Sequence, residues 1–222
     1  MNRTQFLIGL VVLALIALGT GAYFVFFNEG SNEAEPAAAQ LSYELTKSDH
    51  TWGNPKAPVT MIEYAAPTCP VCAHFNNDMF PDVKRQYIDT GKVYYVFRVF
   101  PLQAADVAVE AIARCMPKSS YFSFIDMLYH NQPRWDPDGY QIADVHGALL
   151  EMANVAGMPA EKADSCMQDS EAAKRIEQVG TDAETRYGVS GTPTFLVNGQ
   201  LHGPFANIQD VENFIDPMLT GK

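Results

Sequence analysis

The apolar pattern between residues 59 and 100 changes period twice, and that switch limits the chain to a small set of folds. After the turn-forming run Asn54-Pro55-Lys56-Ala57-Pro58, the stretch Val59-Thr60-Met61-Ile62-Glu63-Tyr64 is β-branched, aromatic and of strand length. Phe75, Met79, Val83 and Tyr87 then recur at helical spacing, with Pro81 set to kink the helix and Thr90-Gly91 closing it. Val93-Tyr94-Tyr95-Val96-Phe97-Arg98-Val99-Phe100 is again strand-prone and stops at Pro101. Strand, helix and strand in so short a stretch open an α/β domain with a parallel sheet.

The pattern changes at residue 103. Helical spacing over 104–115, 121–129, 142–156 and 160–167 is broken only by turn residues. Ser170, followed by Glu171, is placed to cap a longer helix that ends at Gly188. Strand character resumes at Thr194-Phe195-Leu196-Val197, where Asn198-Gly199 is a strong hairpin signal, and a last helix is expected over 208–219. A helical block, 103–187, inserted into a sheet domain made of 41–102 and 188–222 is the economical reading. No internal repeat is visible.

Ahead of this domain, residues 6–27 carry no charged side chain. At about 1.5 Å per residue, such a helix crosses the roughly 30 Å of hydrocarbon in a bilayer. A cleaved signal peptide normally has an apolar core of about 7 to 15 residues followed closely by small residues. This run is longer and ends in Tyr23-Phe24-Val25-Phe26-Phe27, which favours a retained anchor, although Ala37-Ala38-Ala39 offers a later cleavage point and hence a secreted form. Arg3 lies in the stub 1–5, and the positive-inside rule then leaves the N-terminus in the cytoplasm and the rest outside. Residues 28–40, rich in Glu, Ala, Asn, Gly and Ser, form a flexible tether. Beyond the anchor, 14 basic against 26 acidic side chains leave a net charge of −12. That balance argues against nucleic acid and anionic lipid as partners.

All four cysteines, Cys69, Cys72, Cys115 and Cys166, lie on the outer side, as suits an oxidising compartment; they allow three pairings, among which sequence alone does not choose. Cys69-Pro70-Val71-Cys72 sits where a strand gives way to a helix. Pro70 suits the first helical position, so Cys69 is expected at the helix N-terminus, where unpaired N–H groups stabilise a thiolate. Cys69 is then an accessible nucleophile and Cys72, three residues on, the resolving thiol of a redox-active disulfide. Two rival readings are a structural bridge and a zinc site completed by Cys115 and Cys166. The second is weak, because those two are single cysteines on separate helices and His74 points down the helix away from the pair. Neither metal nor cofactor is expected. Trp52, Tyr64, Phe75, Phe97 and Phe195 are expected in the core.

Together, Gly53-Asn54-Pro55-Lys56-Ala57-Pro58-Val59-Thr60, the strand ending in Glu63-Tyr64, Cys69-Pro70-Val71-Cys72, and Gly188-Val189-Ser190-Gly191-Thr192-Pro193-Thr194-Phe195 resemble the DsbA-like family of thioredoxin-fold proteins. The resemblance covers the chain from about Trp52 to its end and implies a thioredoxin fold with an inserted helical domain. It also implies that Pro193 is cis and faces the cysteines, and that the Thr192 backbone meets substrate. Glu63 matches the family carboxylate that relays a proton to the buried thiol; an exposed charge at a strand end is the alternative. A second, structural disulfide between Cys115 and Cys166 is implied by some members. Val71 departs from the best-known oxidases, which carry His there, so a cationic neighbour that would lower the Cys69 pKa is missing.

The expected function is therefore introduction of disulfides into reduced or misfolded extracytoplasmic polypeptides, with re-oxidation by a quinone-linked membrane redox partner. The setting is the periplasmic side of a bacterial inner membrane. A disulfide reductase or isomerase is the alternative within redox chemistry, and a polypeptide-binding chaperone with idle cysteines the alternative outside it.

Overall fold

The computed structural model describes residues 41–137 and 140–221. The expected stub 1–5, anchor 6–27 and tether 28–40 lie outside them. Among the described residues no helix is long and apolar enough to cross a membrane.

Five strands form one sheet in the order β1-β3-β2-β4-β5: β1 (His50–Trp52), β2 (Val59–Ala65), β3 (Val93–Val99), β4 (Thr194–Val197) and β5 (Gln200–His202). β2 and β3 run parallel, as a helical crossover requires, with Met61 opposite Tyr95 and Glu63 opposite Phe97. β4 runs antiparallel to β2 and places Phe195 opposite Glu63. β5 closes a hairpin on β4 through Asn198 and Gly199, both at positive φ (47° and 83°), the backbone an Asn-Gly turn prefers. Gly199 is also required by close packing, since a Cβ there would meet the Leu41 carbonyl oxygen at 2.3 Å. The edge strand β1 has no signal of its own in the sequence. Three residues are too few to show a period, and its pairing with β3 creates it.

The rod α1 joins β2 to β3 in four pieces: Pro70–His74 and Phe80–Val83 are α-helical, Phe75–Met79 and Lys84–Ile88 are π-helical. The expected kink at Pro81 is met by this change of winding. Pro81 lies in the first turn of the second α piece, where its missing N–H leaves no gap.

Between β3 and β4 the chain is helical: α2 (Ala104–Cys115), α3 (Tyr121–His130), α4 (Gln132–Trp135), α5 (Val145–Val155), α6 (Ala160–Met167) and α7 (Ser170–Tyr187). A final helix, α8 (Ile208–Thr220), follows β5. Three differences from the sequence pattern have local causes. α5 starts at Val145 rather than 142 because the Asp144 side chain accepts from the Gly147 N–H and caps it. α7 is capped by Asp169, one residue earlier than expected, through bonds from the N–H groups of Glu171 and Ala172. α4 was not anticipated; its one turn is fixed by Trp135, fully buried, whose indole donates to the Leu128 carbonyl.

Strand alternation sorts the core into two layers. Val59, Met61 and Ala65 with Val93, Tyr95 and Phe97 face one layer, together with Phe75, Cys72, Val211 and Ile215. Ile62, Tyr64, Val96 and Leu196 face the other, where Ala183 and Tyr187 of α7 cover them. Tyr64, Phe75, Phe97 and Phe195 are buried, and Trp52 is half-buried against Phe80 and Phe122. Parity in β2 therefore puts Glu63 on the sheet face that carries α1.

Candidate active site

β2 ends at Ala65, and Ala66-Pro67-Thr68 leads into Cys69, the N-cap of α1, with Pro70 in the first turn. The Cys72 backbone N–H donates to Cys69 Sγ at 3.3 Å. Both cysteines are thiols. The sequence pattern predicts an accessible Cys69, and the structure corrects this: the residue is only 6% exposed and Cys72 not at all. The Thr192 carbonyl lies against the sulfur, while Val71 stands out at 44% exposure.

The two thiols are strongly unequal. Cys69 is held down to about 6, chiefly by the Cys72 thiol as a hydrogen-bond donor, with burial opposing. Thr192 and the N–H groups of Cys72 and Val71 add to the depression. Cys72 is pushed well above the ordinary thiol range by burial first, then by its bond to Cys69 and the charges of Cys69 and Glu63. The Cys72 thiol first, and after it Thr192 and the N–H groups of the helix start, thus supply what a cationic neighbour at position 71 would have supplied.

β4 is antiparallel to β2, so the residues just before β4 lie beside the loop just after β2. This brings Thr192 to Cys69: Cys69 Sγ donates to the Thr192 carbonyl at 3.4 Å, and the Thr192-Pro193 peptide is cis. The carbonyl serves the thiol form only. Thr192 Oγ1 is buried without a hydrogen-bond partner, which leaves its O–H available to a Cys69 thiolate.

Glu63 is 2% exposed, not an exposed strand-end charge. Its Oε2 accepts from the Tyr95 hydroxyl at 2.5 Å. Burial pushes the carboxyl up to about 8, against the Tyr95 bond, with the Cys69 charge adding to the rise.

The loop itself is fastened from the helical segment. Asp106, fully buried in the first turn of α2, accepts from Thr68 N and Oγ1 (2.8 and 3.1 Å) and from the N–H groups of Leu102 and Gln103 (2.9 and 3.1 Å). Gln132 Nε2 donates to the carbonyls of Pro67 and Cys69 at 2.8 and 3.3 Å. The Tyr129 hydroxyl donates to the Ala66 carbonyl at 3.3 Å. None of these was expected. Asp106 had a signal, three residues after Gln103 at a helix start, but that pattern announces a cap and says nothing of Thr68. Gln132 and Tyr129 had none.

Cys115, at the end of α2, and Cys166, in α6, are joined in a disulfide with their Cα atoms 6.3 Å apart. Their sulfurs are bonded to each other and so cannot complete a zinc site with Cys69 and Cys72. Among the described residues no group of three His, Cys, Asp or Glu is placed to hold a metal. His74 pairs with Asp78 at 2.6 Å, down the helix.

A thioredoxin family model matches residues 45–217 of this chain. A Rickettsia prowazekii chain named as a protein-disulfide oxidoreductase is 33% identical over 162 residues, 72% of this chain and 58% of that one. Disulfide bond formation protein D of Bacillus subtilis is 27% identical over 182 residues, 79% of each chain. Among solved structures, alpha-DsbA1 of Wolbachia pipientis superposes with a TM-score of 0.72 at 28% identity, over 80% of this chain and 94% of that one. The chain spans about six-tenths of the length of its Rickettsia relatives.

Proposed function

The chain belongs to the thioredoxin family in its DsbA-like form, and on that premise we propose that it is a thiol-disulfide oxidoreductase that introduces disulfides into reduced extracytoplasmic polypeptides through Cys69 and Cys72. The observation that carries this reading is the inequality of the two thiols: Cys69 held down to about 6, Cys72 pushed up. A low-pKa thiol stabilises the reduced pair, and a stabilised reduced form makes the disulfide a strong oxidant. That favours an oxidase over a reductase or isomerase.

The chemistry starts from the Cys69–Cys72 disulfide. A substrate thiolate attacks Cys69 Sγ, the S–S bond breaks, and Cys72 leaves as a thiolate that takes a proton from the Glu63 carboxyl. A second substrate thiolate then attacks the substrate sulfur of the mixed disulfide. It expels Cys69 as a thiolate, met by the Cys72 thiol, the Thr192 hydroxyl and the α1 N–H groups. Two electrons have passed from substrate to enzyme. Re-oxidation runs in reverse, with Glu63 accepting the Cys72 proton; a carboxyl near neutrality can serve in both directions. Thr192 and Pro193, beside the sulfur, are the proposed substrate contact, and the Cys115–Cys166 bridge a structural one. We place the domain on the periplasmic side of an inner membrane, tethered by 6–27 and re-oxidised by a membrane redox partner; the charge-free run, Arg3 ahead of it and the four cysteines beyond it support this.

The test is the reduction potential of the pair, measured by equilibration with glutathione and read from trapped thiols. An oxidase predicts a value less negative than about −200 mV, the range of oxidants rather than of thioredoxin-like reductants. A potential near the reductants, about −270 mV, reverses the assigned direction.

A further inference from the structure

Among the described residues Glu63 has no cationic partner of the kind that a buried carboxylate usually needs. It makes no ion pair among the described residues, and the ionisable groups that act on it or on its hydrogen-bond partner are Cys69 and Cys72 from α1, Tyr95 from β3, and Tyr121 and Tyr129 from α3. None of these is a cation. The register explains why Tyr95 meets it. Glu63 pairs with Phe97 and Met61 with Tyr95, so Tyr95 is the diagonal neighbour of Glu63 on the same sheet face.

The contact is selective. Tyr95 donates to Oε2, and among the described residues the other carboxylate oxygen, Oε1, has no hydrogen bond. Tyr95 is itself 3% exposed, and its ring lines a cleft of about 120 Å³ whose rim includes Ser123 and Asp126, both at the surface. It therefore both grips the carboxyl and lines an opening toward solvent.

We infer that Tyr95 is a positioning residue for Glu63, its hydroxyl fixing one carboxylate oxygen so that the other is left to exchange a proton with Cys72. This rests on the reading of Glu63 as the proton-exchanging group. A plain structural role, in which Glu63 serves only to satisfy a buried tyrosine, predicts no effect on proton transfer. Burial drives the carboxyl up and the Tyr95 bond restrains it, so losing the bond leaves Glu63 a carboxylate only at higher pH.

The step to follow is resolution of a mixed disulfide between Cys69 and glutathione. Cys72 gives its proton to Glu63, attacks Cys69 Sγ, and expels the glutathione thiolate. Its rate against pH, normalised to each protein's own high-pH plateau, should show an acid limb near pH 8 in the native chain. A hydrogen bond to a charged group is equivalent to about one pH unit or somewhat more. Tyr95→Phe should thus move the limb up by about one unit and slow resolution about tenfold at pH 7. Glu63→Gln should remove the limb near pH 8 and leave only the higher one of Cys72 itself, and Tyr95→Phe should add no shift in that background. A Tyr95→Phe limb that superimposes on the native one while Glu63→Gln removes it overturns the Tyr95 assignment and leaves Glu63 standing. A limb that stays near pH 8 in Glu63→Gln overturns the Glu63 reading itself. Should Tyr95→Phe not fold, fluorotyrosine at position 95, a stronger donor in the same shape, should move the limb down instead, and an unmoved limb is equally fatal.

Discussion

The two cysteine pairs share one chain and one kind of atom, yet their surroundings differ at every point. Cys69 and Cys72 are three residues apart at a helix start, amid hydrogen-bond donors and beside a buried carboxyl. Cys115 and Cys166 are 51 residues apart and link the end of α2 to α6. In the first pair the surroundings discriminate between the two sulfurs, which is what exchange needs. In the second the bond shortens the freedom of the unfolded chain, which is what stability needs. α2 connects the two regions, with Asp106 holding Thr68 at one end and Cys115 at the other.

The hardest test of that division removes the second pair. Replacing Cys115 and Cys166 by Ala should lower the unfolding free energy by about 4 kcal/mol, the chain-entropy figure for a loop of this length. Exchange through Cys69 should persist below the lowered melting temperature. Denaturant titration and a thiol-exchange assay on the same sample decide it, and loss of exchange in still-folded protein would erase the distinction between the pairs.

A smaller effect sharpens the role of burial at Glu63. Its folded pKa of about 8 lies above the ordinary carboxylate value, so the stability it contributes is full below about pH 4.5 and is lost as pH rises through 8. Glu63→Gln removes that loss. The reduced variant should overtake the native protein progressively from pH 5 to pH 8, by on the order of a few kcal/mol, with the gap flattening above pH 8. Thermal melts across that range that run parallel for the two proteins would show that the carboxyl is not raised.

Smallest is the effect of the Thr192 hydroxyl. Thr192→Val removes a donor that serves only the thiolate, so Cys69 should titrate up to about one unit higher when alkylation is followed against pH. An unchanged titration would assign the whole depression to the start of α1 and to Cys72.

The strand–helix–strand opening, the helices at Ala104–Cys115 and Ala160–Met167, the strand Thr194–Val197 and its Asn-Gly hairpin were legible from local pattern, because period and turn chemistry act over a few neighbouring residues. So was the position of Cys69 at a helix start, since Pro70 and the spacing to Cys72 suffice for it. The burial of Cys69, the state of Glu63 and the fastening of the loop were not. They depend on Tyr95, Asp106, Tyr129, Gln132 and Thr192, residues 32 to 123 positions away from their partners in the chain. Sequence by itself determined which sulfur sits among helix N–H groups, because that field is made by the same few residues. Only the tertiary structure decided how far each thiol and carboxyl is shifted, because desolvation and hydrogen bonding across the sheet exist only once distant segments have excluded water together.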